Sequence, residues 1–147
     1  RFLNMNKNQK MKEIVASLPS GHYEKEYLGF FACFNRGDFY EAHDVLEHLW
    51  LKRRKTKDDL FFKALIQLAG AFVHLQKGKI SPGRRLFIKS KAYFDKFEPS
   101  YRGLSISSLK TMIDSWVLKI SKSDSDFSLD AFDCPSLNPA PPQDKSV

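Results

Sequence analysis

The stretch LFFKALIQLAGAFVHL, residues 60–75, decides the fold class. It is apolar almost all round, broken only by Lys63, Gln67 and His74. A helix with no wide polar face has to be wrapped by others, which makes it the central element of a helical domain. The segments on either side supply the wrapping. Upstream, Tyr23, Tyr27, Phe30, Phe31 and Phe34 recur at spacings of three and four, and Gly37 closes that helix. Asp38 with Glu41 has the form of a capping box, opening a helix from Phe39 to about Arg53. Thr56 with Asp59 repeats that pattern ahead of the central helix, and Gly78 ends it.

Further out, Met11, Ile14, Val15 and Leu18 predict a short first helix that stops near Pro19. Ser81-Pro82 predicts an N-cap followed by proline at the first helical position, with Leu86, Ser90, Tyr93 and Phe97 sharing one face. The last helix has the clearest stripe: Leu109, Met112, Ile113, Trp116, Val117 and Ile120. No strand-type alternation and no internal repeat is visible. Five or six helices joined by short loops predict an all-α, single-domain antiparallel bundle. Its expected limits are residues 9–120. Residues 1–8 read as a disordered leader or a remnant of something upstream, with Met5 as a candidate start. The Ser/Asp/Pro-rich residues 121–147 read as a mobile or loosely docked tail, anchored only by Phe127, Leu129 and Phe132.

The chain has 147 residues, a net charge of +7 and 13 phenylalanines, so aromatic rings supply much of the burial. The tail from residue 121 holds two lysines and five aspartates, net −3, which leaves +10 on the preceding residues. Such a body suits an anionic partner, nucleic acid included, or serves solubility alone. Interleaved exposed aromatics, which a single-strand binder uses for stacking, are not evident. Two distant cysteines, Cys33 and Cys134, form no zinc or disulfide framework, and a reducing cytoplasm is expected. No apolar run approaches the roughly 18 residues of a membrane span. Scattered glycines make no phosphate loop, and no Gly-x-Ser-x-Gly turn offers a nucleophile.

The chemistry-bearing residues gather on two helices. On a wheel of about 100° per residue, Phe39, Ala42, Leu46, Leu49 and Trp50 define the core face of the 39–53 helix. His43 and Glu47 stand one turn apart on its edge, beside Tyr40, while Glu41, Asp44 and His48 point away. On the central helix Lys63, Gln67, Gly70 and His74 share one narrow stripe. Either that stripe is a solvent edge, or Gln67 and His74 face His43 and Glu47 across the bundle. Such a cluster could hold a divalent metal such as zinc through His43, Glu47 and His74. The HExxH and di-iron spacings are absent, however, and a His–Glu–Gln hydrogen-bond network needs no metal.

The segments FNRGDFYEAHDVLEHLW (residues 34–50) and FFKALIQLAGAFVHLQKG (residues 61–78) together resemble a small all-helical family, domain of unknown function 309. The matching positions are Phe34, Asn35, Gly37, Tyr40, Glu41, Ala42, His43, Glu47 and Trp50, then Leu65, Ile66, Gln67, Ala69 and His74. The likeness spans roughly residues 24–97. It departs at Asp44, where the family has Glu, and at Gly78-Lys79…Gly83-Arg84, where the family has Gly-Asn…Gly-Ala. Some classifications label that family a predicted metal-dependent hydrolase. The resemblance therefore implies a His43/Glu47/Gln67/His74 site, with Glu41 or Gln67 orienting water if it is hydrolytic. A different class stays open beside it: a non-enzymatic module for a protein partner, nucleic acid or a second copy of the chain.

Overall fold

The computed structural model describes residues 9, 13, 22–122, 127–132 and 134–142. Of the helix expected over residues 11–18 only residue 13, which is helical, lies among these. Five helices follow: α1 (Lys25–Asn35), α2 (Phe39–Lys52), α3 (Asp59–Gln76), α4 (Ile80–Phe94) and α5 (Ile106–Ser121). Between α4 and α5 sits a two-residue-per-strand hairpin, β1 (Ser100–Tyr101) and β2 (Leu104–Ser105), paired antiparallel. Strands this short leave no alternation to read. A single 3₁₀ turn covers Leu129–Ala131.

The central position of α3 is visible in one ring. Phe72 packs against Phe34 of α1, Phe39 of α2, Phe87 of α4 and Trp116 of α5, with centroids 4.8 to 5.6 Å apart. Edge and stacked arrangements at such distances add specific attraction to the burial itself. α4 lies close along α3, because a Cβ on Gly83 would stand 2.9 Å from the Leu75 side chain. Ser90, fully buried on α4, donates its hydroxyl to the Ala64 carbonyl at 2.7 Å and so leaves no orphaned polar group there. Among the described residues no helix is long and apolar enough to cross a membrane.

The helix starts differ from the capping patterns in the sequence. Asp38 precedes α2 but makes no side-chain cap, its carboxylate lying 3.2 Å from Arg36 Nε instead. Thr56 donates to the Arg53 carbonyl, and α3 begins after Asp58. α4 starts at Ile80, one residue ahead of Ser81, whose hydroxyl accepts from Arg85 within the helix. Among the described residues only Ser105, ahead of α5, caps with its side chain, accepting from Ser108 N–H at 3.1 Å. Local ion pairs and loop bonds outcompeted the caps at the other starts.

The tail is docked along much of its described length. Leu129 is buried, and Phe127 stacks on Phe132, which meets Trp116 edge-on. Beyond these anchors, residues 134–140 hold a further set of hydrogen bonds that composition did not reveal.

Candidate functional site

The register of α2 buries Phe39, Ala42, Leu46 and Leu49, and so carries His43 and Glu47 to the edge of the core. His43 Nδ1 lies 3.3 Å from Asp44 Oδ1 and 3.7 Å from Glu47 Oε2. The His43 and Glu47 side chains keep 31% and 44% of their exposure, so the pair sits at a rim. Asp44 was expected to point to water, but it is buried at 4% exposure. Glu41, also expected outward, is half-buried. His48 meets solvent, as the wheel implied, whereas Tyr40, expected on the edge beside His43 and Glu47, is exposed.

Gln67 and His74 are half-buried on α3. Among the described residues neither makes a hydrogen bond or ion pair with His43 or Glu47. His74 Nδ1 is buried without a hydrogen-bond partner. Burial, and then the charges of Lys79, Lys77 and Arg85, hold this imidazole below its ordinary pKa of 6.5, so it is neutral at physiological pH. Among the described residues no group of three His, Cys, Asp or Glu side chains is gathered to hold a metal ion. His43 and Glu47 thus meet, but His74 does not join them as a third ligand. Two surface grooves of about 480 and 570 Å³ open elsewhere, and neither is lined by His43, Glu47, Gln67 or His74.

Trp50 has a definite partner. Its indole N–H donates to Asp59 Oδ1 at 2.7 Å, and the Lys55 backbone N–H donates to the other carboxylate oxygen at 2.7 Å. The Lys55 bond foremost, then the Trp50 bond and the Arg54 and Lys63 charges, outweigh burial and lower the Asp59 pKa below its ordinary 3.8. Arg54 and Lys63 also lie over the Trp50 ring at 5.3 and 5.6 Å, and Lys63 lies over Tyr93 at 5.6 Å. This arrangement pins the end of α2 to the start of α3 and reaches α4.

A further, many-sided polar cluster is one that periodicity did not reveal, and only the Nε of its arginine is buried without a partner there. Arg102, in the β1–β2 turn, pairs with Glu24 and, at 3.3 Å, with Asp58. Its guanidinium lies 4.5 Å from the Tyr27 ring centroid and 5.0 Å from that of Phe62. Tyr101 donates to Asp58 at 2.5 Å and Tyr27 donates to the Arg102 carbonyl at 2.8 Å. Burial first, then the Asp58 carboxylate, lifts the Tyr101 phenol well above its usual range. Burial foremost, against the opposing pull of Arg102 and with Tyr23 and Glu24 adding to it, does the same for Tyr27. The sequence signal was slight: an Arg-Gly pair after Pro99-Ser100-Tyr101 marks a turn, but not what its arginine reaches.

Cys33 is wholly buried, which pushes its thiol up to about 11 and makes it inert as a nucleophile, whereas Cys134 is exposed. No curated protein and no solved structure matches this chain. Residues 27–86, from within α1 to the opening turns of α4, match the family described as Domain of unknown function (DUF309), in keeping with the resemblance carried by the motif.

Proposed function

We propose that this domain is a non-enzymatic interaction module that engages an anionic partner through the α3–α4 end of the bundle. The observation that carries this reading is the unneutralised charge there. Lys79, Lys77 and Arg85 add to the burial that depresses the His74 pKa, and among the described residues none of the three pairs with a carboxylate. The first turn of α4, which starts at Ile80, adds the positive end of its helix dipole. The other basic stretch, at the α2–α3 turn, is largely spent within the fold. Lys52 pairs with Glu26, Arg53 with Glu24, and Arg54 lies over Trp50. His43, Glu47, Gln67 and His74 then serve helix register and local charge rather than catalysis.

The test is binding of fluorescent polyglutamate and of a short DNA duplex to the full chain, at low and at physiological salt. Reversing Lys77, Lys79 and Arg85 together to Glu should weaken binding about tenfold or more, and salt should weaken it in the native chain. Reversing Lys52 and Arg54 should do less. Equal losses from both sets would sink the assignment to the α3–α4 end.

A second reading keeps specific support. The His43–Glu47 pair at 3.7 Å and the unpartnered His74 Nδ1 are the donors a divalent-metal site, hydrolytic or not, would recruit. That reading requires a rearrangement that brings His74 to the pair. Metal analysis of the purified protein separates it from the first.

A further inference from the structure

The described tail segment is held through its main chain. The Asn35 side chain accepts from Leu137 N–H at 2.8 Å and donates to the Leu137 carbonyl at 2.9 Å. Three residues on, the Ala140 N–H donates to the Gly103 carbonyl at 2.8 Å, and Tyr23 donates its hydroxyl to the Ala140 carbonyl at 2.7 Å. One side-chain contact joins these, Asn35 to Asn138 Oδ1 at 3.2 Å. Four bonds reach the N–H and C=O of two residues, three from the Asn35 and Tyr23 side chains and one from the Gly103 backbone, so the body holds the segment by its main chain, as peptide-binding sites hold an extended ligand. From 134 to 140 exposed and half-buried residues alternate, so one side of the extended segment faces the body.

The receiving surface is shaped for that approach. Gly103 has φ +81, and a Cβ there would stand 2.4 Å from the Ala140 carbonyl oxygen and 2.6 Å from the Tyr23 hydroxyl. The segment does not fill its seat. A groove of about 480 Å³ remains between it and the start of α5, with Leu104, Leu109 and Met112 as its apolar wall. Of the segment, only Leu137 packs against the hydrophobic core.

We propose that Tyr23, Asn35 and Gly103 form a peptide-docking site, occupied here by the chain's own residues 137–140 and open in trans to an extended, proline-containing segment of a partner protein. A partner carrying a larger apolar side chain where Ser136 stands would gain contact with Leu104, Leu109 and Met112. This site is separate from the basic α3–α4 surface, so the two can fail independently.

The experiment uses the full chain and a fluorescent peptide with the sequence of residues 135–142. Leu137→Pro with Ala140→Pro removes both N–H donors of the strap without touching the receiving residues. A spin label on exposed Cys134, with Cys33 buried and unreactive, reports whether the strap is released. In cis the strap acts at an effective concentration in the millimolar range, so the peptide should bind the released variant at least about tenfold more tightly than the native chain. Adding Asn35→Ala to that variant should abolish the gain while the helical signal and melting curve persist. An immobile label in the double-proline chain, or no peptide binding to a folded, released chain, would overturn the proposal. Dimerisation of the native chain with rising concentration would put a second copy in the site and overturn the choice of occupant.

Discussion

Two polar regions of this molecule use similar side chains to opposite ends. At the hairpin end Arg102, Glu24, Asp58, Tyr27 and Tyr101 bond one another across the starts of α1 and α3 and the β1–β2 turn, although Arg102 Nε is buried without a partner. On the α2–α3 edge His43, Glu47, Gln67 and His74 are strung along two helices, with contacts confined to one pair and one buried nitrogen left over. Buried polar groups linked on several sides fix geometry, and removing one strands the rest. Polar groups at a rim with few partners cost little to change. The contrast teaches that residue type alone does not mark a site: the number of bonds its members make to one another does.

Breaking the hairpin end should have the largest effect. Arg102→Ala leaves Asp58 beside aromatic rings without its cation and Glu24 with Arg53 alone, and roughly 2–4 kcal/mol of stability should go, read as a lower urea midpoint. His43→Ala on the other edge should stay within about 0.5 kcal/mol. Similar losses from both would erase the distinction. Gly103→Ala comes next, since it forces a Cβ into left-handed backbone and against Ala140. About 1–3 kcal/mol is expected in the same titration, together with release of the strap.

Between the two regions stands the Trp50–Asp59 clasp. Trp50→Phe keeps the ring and loses the indole donor, which should cost roughly 1–2 kcal/mol. Asp59 has its pKa lowered in the fold, so its contribution is complete above the ordinary value of 3.8 and is lost as pH falls through the folded one. Comparing acid denaturation of the native chain with Asp59→Asn should show the two curves converging at low pH. Curves that stay parallel would remove Asp59 from this role.

The smallest effect sharpens the basic end. His74 should titrate below 6.5 by NMR, and Lys79→Ala should move its midpoint upward. Because the unfolded histidine takes up its proton first, this group favours the fold above 6.5, and that advantage fades as pH falls through its folded pKa. A midpoint unmoved by Lys79→Ala would mean that burial alone depresses it.

Much of the architecture was legible because helical periodicity is a strong, local signal. The apolar run around Phe72 announced the central helix, and the aromatic spacing of Tyr27, Phe30, Phe31 and Phe34 announced α1. The caps at Asp38, Thr56 and Ser81 misled because each side chain found another partner once Arg36, Arg53 and Arg85 were in place. The buried state of Asp44 was not legible, since a wheel gives direction but not what packs there. Arg102 and the Asn35–Leu137 pairing escaped for a plainer reason. Contacts 44 and 102 residues apart leave no periodic trace in the chain.

That the α2–α3 polar edge is architecture and not a metal centre is tested most directly by metal analysis of the purified, untagged protein. The measurement is made before and after incubation with zinc, manganese or iron, beside a His43→Ala/His74→Ala double variant. Equal, substoichiometric metal in the two proteins is the predicted result. Near-stoichiometric metal in the native chain, lost from the variant, would contradict it and return His43, Glu47 and His74 to the centre of the chemistry.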